Sequence, residues 1–117
     1  MIIVENLSKI HQGEDMEKTY FYRLIKDKFN LNYGDELIEV QSYGIEIERQ
    51  DKVEGNIVNI ERDYIKNISP QRHKVHSLLK VLHDNTVSPI HLIDIAGDYV
   101  DEYISDFDNV LREIATN

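Results

Sequence analysis

The 117-residue chain has no cysteine and no tryptophan, only two prolines, and five glycines scattered singly. Without cysteine there is no disulfide, no thiolate metal site and no thiol nucleophile. Dispersed glycines assemble neither a phosphate loop nor a dinucleotide fingerprint, and no Gly-x-Ser-x-Gly occurs. Positive charge is also scarce: 13 Lys and Arg stand against 22 Asp and Glu, a formal net charge of −9. Such a surface repels polyphosphate, and the densest basic stretch, Arg72-His73-Lys74 with Lys80 beyond it, has no aromatic platform for stacking bases. Nucleic acid is therefore not expected as a partner. No apolar run is long enough to span a bilayer, and the first residues lack the basic region of a signal peptide, so the expectation is a cytoplasmic protein with no membrane contact.

What remains is 41% hydrophobic and 30% charged, the balance of a folded chain with room for one core. Its apolar residues change period near Ser69. Before it they recur mostly every second position, and after it at three and four, which specifies a sheet followed by helices.

In the first half, Tyr20, Tyr22 and Leu24 alternate with Phe21, Arg23 and Ile25, predicting a strand over residues 17–26 that pairs with 2–10 as a first hairpin. Residues 30–35 read as a polar, glycine-containing loop. Ile38 and Val40 then share one parity while Tyr43, Ile45 and Ile47 share the other, so the inward face is expected to switch at a β-bulge near Ser42 and Gly44, or at a kink between two short strands. Glu54-Gly55-Asn56 is a turn between 45–49 and 58–62. Each of those segments carries Ile-Glu-Arg, so antiparallel pairing sets acid beside base across a solvated face.

In the second half, Ser69-Pro70 and Ser88-Pro89 both read as N-cap followed by N1, with Val87 and Leu92 as a staple at the second. The first helix is expected over residues 70–84, with Val75, Leu78, Leu79 and Leu82 as its apolar stripe. The second carries Ile93, Ala96, Val100, Tyr103, Phe107, Val110 and Ile114 at steps of three and four. Sheet and first helix can cover that seam. Alternatively its far end, Phe107 to Ile114, outruns the first helix and meets a second copy or another protein.

Chemistry is harder to find. His73, His76, His83 and His91 fall in one short stretch, but His76 and His83 are two turns apart, too far to share an ion, and His73 and His76 sit beside Arg72 and Lys74. The acids of the second helix, Asp98, Asp101 and Glu102 among them, lack the loop and spacing of a calcium site. No cofactor, metal or catalytic residue is assigned.

Three blocks, residues 40–49 (Val-Gln-Ser-Tyr-Gly-Ile-Glu-Ile-Glu-Arg), 68–76 (Ile-Ser-Pro-Gln-Arg-His-Lys-Val-His) and 87–94 (Val-Ser-Pro-Ile-His-Leu-Ile-Asp), resemble a family of small uncharacterised proteins from clostridia-like spore formers, catalogued as a domain of unknown function. The resemblance covers residues 2–103. It implies a cytoplasmic bacterial protein of similar size and carries no activity to transfer.

The expected fold is α+β in one domain: an antiparallel meander sheet of about four strands over residues 1–68, with two C-terminal helices over 69–117 packed on one face. The expected function is a non-catalytic protein-interaction or regulatory module that binds a protein partner or itself as a homodimer, with His76, His83, Phe107, Val110 and Ile114 as partner-binding residues. The alternative is a small-ligand or metal-dependent enzyme using His76 or His83 with Glu46 or Arg62, and a third reading is a pH sensor built on the histidines.

Overall fold

The computed structural model describes residues 1–116. Period-two alternation produces four strands, β1 (Ile2–Gln12), β2 (Glu17–Tyr33), β3 (Glu36–Val53) and β4 (Asn56–Ser69), joined as an antiparallel meander in the order β1-β2-β3-β4. Two-residue turns at Gly34-Asp35 and Glu54-Gly55 connect the longer strands. Both central residues of the second turn have positive φ, the geometry that matches strand twist, and glycine supplies it at Gly55 without steric cost. The helices follow: α1 (Arg72–Asp84), a 3₁₀ turn (Pro89–His91), α2 (Leu92–Tyr103) and α3 (Ser105–Thr116). This is the expected α+β meander followed by C-terminal helices, with α1 and α2 on one face. Among the described residues no helix is long and apolar enough to cross a membrane.

The core lies where α1 and α2 meet the face formed by Tyr22, Leu24, Tyr43, Ile45 and Ile47. The stripe of α1 is the expected one: Val75, Leu78, Leu79 and Leu82 are all buried, each contributing about 1.5–3 kcal/mol. Tyr22 crosses the core and donates its hydroxyl to the Val87 carbonyl at 3.0 Å. Burial, reinforced by neighbouring Tyr20, pushes that phenol well above its ordinary value.

The sheet differs from expectation in two places. First, β3 keeps unbroken register with β2 along its length, so its face does not switch. Val40 belongs to the alternation set opposite Ile45. It is buried nonetheless, and its cross-strand partner Phe29 lies under Phe107 of α3, ring centroids 4.9 Å apart. Two faces are covered by different helices, which mimics a bulge in the sequence. The irregularity at Gly44 is real but sits in β4: Ile45 pairs with Ile65 and Tyr43 with Ser69, so four steps of β4 answer two of β3. The bulged strand presses on Gly44, where an added Cβ would stand 2.1 Å from the Ile65 carbonyl oxygen.

Second, the stretch read as a loop over residues 30–35 is strand as far as Tyr33. Asn30 and Asn32 alternate with Leu31 and Tyr33, so polarity marks one face rather than a break. β1 stops pairing at Lys26 and β4 at Tyr43, leaving residues 27–42 as a two-stranded arm. The arm draws the molecule out to 58 × 21 × 20 Å, and its radius of gyration is 16.8 Å. About 13 Å is usual for this length.

The helix starts also differ. Ser69 is the last residue of β4, not a cap of α1; its hydroxyl accepts from the Gln71 amide and donates to Asp106 Oδ2 at 2.9 Å. Gln71 takes the N-cap position. Ser88 does precede a helical turn with Pro89 at its first position, but through its carbonyl, which accepts from the His91 amide at 3.0 Å. Gly97 does not interrupt α2. A single residue, Ile104, with helical angles, joins α2 to α3.

Candidate interaction surface

The two histidines expected to face a partner face β1 instead. His76 Nδ1 lies 2.7 Å from Glu5 Oε1, and Arg72 approaches the other oxygen of that carboxylate at 3.4 Å. His83 has an acceptor at each nitrogen, Asp84 Oδ1 at 3.0 Å and the Ser8 carbonyl at 3.2 Å, and its ring meets Tyr22 edge-on. Lys9 donates to the His83 carbonyl at 3.0 Å, capping the end of α1. The hydrogen bond from His83, assisted by Lys80, holds the Asp84 carboxyl below the usual carboxylate range. Together these contacts clamp α1 to the edge of the sheet.

Glu46 and Arg62, named as partners of the histidines in the enzymatic alternative, lie on the opposite alternation set from the core and do not meet them. Glu46 accepts from Arg23 at 2.8 Å, and Arg62 pairs with Glu48. The two Ile-Glu-Arg segments pair reciprocally as expected, Glu48 opposite Arg62 and Arg49 opposite Glu61. The expected solvated face is a correction, because the Glu48 side chain is only 4% exposed. Burial alone would push its carboxyl up. Hydrogen bonds from Gln50, Arg62 and Arg23 outweigh that and hold it below its ordinary value. Asp51 is held down in the same way, by Asn59 and Arg49 against burial. Among the described residues no group of three or more His, Asp or Glu lies close enough to hold a metal ion.

The expected seam runs inward for most of its length. Ala96 and Phe107 are buried and Val100, Tyr103 and Val110 half-buried, while Ile114 is 44% exposed. Phe107 is thus occupied within the chain by Phe29. Ile93 departs from the seam: Leu92 is the buried residue there, and Ile93, one step of 100° onward, is 58% exposed.

Ile93 belongs to a surface that sequence reasoning missed. Ile60 and Tyr64 on edge strand β4, Ile90 on the 3₁₀ turn, and Ile93 and Ile104 along the helix all remain exposed, Ile90 to 72%. Two open hollows follow one another along the seam between β4 and the helix. One of about 410 Å³ is bounded by Ile60, Arg62, Pro89 and Ile90, and one of about 350 Å³ by Tyr64, Ile65, Ile93, Gly97 and Val100. The groove exists because Leu92 and Ala96 anchor α2 from beneath, which turns Ile93 and Gly97 toward β4. The sequence signal was the apolar spacing Ile57-Val58, Ile60 and Tyr64, which has no counterpart that needs it inside the core.

The chain belongs to the family of unknown function DUF6514, whose model matches residues 1–102. The earlier resemblance to an uncharacterised family agrees with this. The match takes in the sheet, α1 and nearly all of α2, and ends before α3. Neither a curated protein nor a solved structure matches the chain.

Proposed function

We propose that this protein is a non-catalytic interaction module that binds a protein partner along the groove between β4 and α2. The observation that carries this reading is the exposed apolar surface at Ile90 and Ile93, beside hollows edged by Ile60 and Tyr64 of β4 that no described element fills. Exposed apolar surface gathered along a groove is costly to leave in water and marks contact sites. The proposed contact shifts from His76, His83 and Phe107 to Ile93 and Tyr64, since the former are engaged by β1 and by Phe29.

A photo-crosslinking residue placed at position 93, with position 81 on the outer side of α1 as reference, tests this in the native cell. A discrete protein adduct at 93 and none at 81 is the expected result. Equal labelling at both positions, or none at 93, would remove the proposal. The proposed setting is the cytoplasm of a spore-forming bacterium, supported by the resemblance of residues 40–49, 68–76 and 87–94.

A further inference from the structure

We infer, building on that interaction reading, that the occupant of the groove is a basic amphipathic helix supplied by another protein. The first support is shape. Ile93, Gly97, Val100 and Ile104 recur at i, i+4, i+7 and i+11, a row about 16 Å long on one flank of the helix, which suits three turns of a second helix laid alongside.

The second support is Gly97. A glycine inside a helix weakens it, and such a residue is normally kept because something presses close. Among the described residues nothing does: a Cβ added at Gly97 meets no atom within 4 Å. The residue nevertheless lines the second hollow of the groove, where the missing side chain leaves room for a partner's backbone to approach.

The third support is charge. α2 carries four acids, Asp94, Asp98, Asp101 and Glu102, and no Lys or Arg. Asp94, Asp98 and Asp101 form the strip next to the apolar row. Several acids elsewhere that pack against the sheet or α1 are matched, Glu5 with Arg72, Glu48 with Arg62, Asp51 with Arg49 and Asp106 with Lys74. Among the described residues no ion pair reaches Asp94, Asp98 or Asp101. A second copy would bring the same carboxylates against them, and like charges facing across an interface oppose docking. Lysine or arginine flanking an apolar stripe completes both the row and the strip.

The test is a titration of isotope-labelled full-length protein, followed by amide shifts, with two synthetic helical peptides of about 14 residues that share one leucine stripe. One has lysine on its flanks and the other glutamate. The lysine peptide is expected to bind and to shift the amides of Tyr64, Ile93, Gly97 and Val100. Ile93→Asp and Gly97→Leu should each weaken that binding by about tenfold or more. Gly97→Ala should raise the melting temperature of the free protein while weakening binding, an opposition that a merely structural glycine would not give. No binding of the lysine peptide, shifts elsewhere, or indifference to Ile93→Asp would overturn the inference. So would equal binding of the glutamate peptide in the groove, although the interaction reading itself would then stand. Loss of the crosslink at position 93 is the separate result that removes that reading.

Discussion

Helices α1 and α2 lie on the same sheet and differ in how much of their chemistry the chain uses. The apolar residues of α1 that form its stripe are buried, and its polar residues are taken up by neighbours: His76 and Arg72 by Glu5, Lys74 by Asp106, and the final carbonyls by Lys9. α2 anchors itself with Leu92 and Ala96 and then presents Ile93, a mid-helix glycine and unmatched carboxylates outward. A helix whose apolar stripe and main charged groups are taken up by folding is structural. A helix with surplus on one flank has a second task, and the contrast identifies which residues carry it.

The sharpest way to break the comparison is to truncate an equivalent aliphatic side chain in each helix. Leu79→Ala, at a fully buried position, should cost about 2–5 kcal/mol in urea unfolding, while Ile93→Ala should stay within about 0.5 kcal/mol. Similar losses at both would mean that Ile93 belongs to the core. Next in size is Asp106→Ala, which strips the acceptor from Ser69 and Lys74 and should cost about 1–3 kcal/mol by the same measurement. A neutral result would mean that α3 is not fastened to α1.

The smallest effect is in pH dependence, and it tests the matched acids of the sheet. Glu48 and Asp51 are held below their ordinary range in the folded protein, so their stabilising contribution is present above the unfolded carboxylate values near 4. It is lost as pH falls through their lower folded values. The urea midpoint should therefore drop between pH 6 and about pH 3. Glu48→Gln should flatten that slope. A slope unchanged by Glu48→Gln would show that its hydrogen bonds do not hold that carboxyl down.

Much of this contrast was legible in the residues. The stripe Val75, Leu78, Leu79, Leu82 was readable one by one, because a single narrow apolar row admits one orientation. The crossed pairing of the Ile-Glu-Arg segments followed from the turn at Gly55 and antiparallel register. The arm was not legible, since asparagines on one face of a ribbon have the composition of a loop. Nor was the phase of α2: steps of three and four admit either Leu92 or Ile93 inward, and the 3₁₀ turn at Pro89–His91 decides which enters the core. The groove was hidden for a related reason. Ile60 and Tyr64 look like core residues until β4 is known to be an edge strand whose outer face, where both point, no described helix covers. The burial of Glu48 was missed because charge in a strand reads as solvated, whereas here two arginines and a glutamine lie over it.

The most direct measurement is amide hydrogen exchange across both helices, with and without the partner captured at position 93. Protection should rise from Ile93 to Ile104 and in the facing segment of β4, with α1 unchanged. A rise in α1, or no change along α2, would contradict the assignment of the groove as the docking surface.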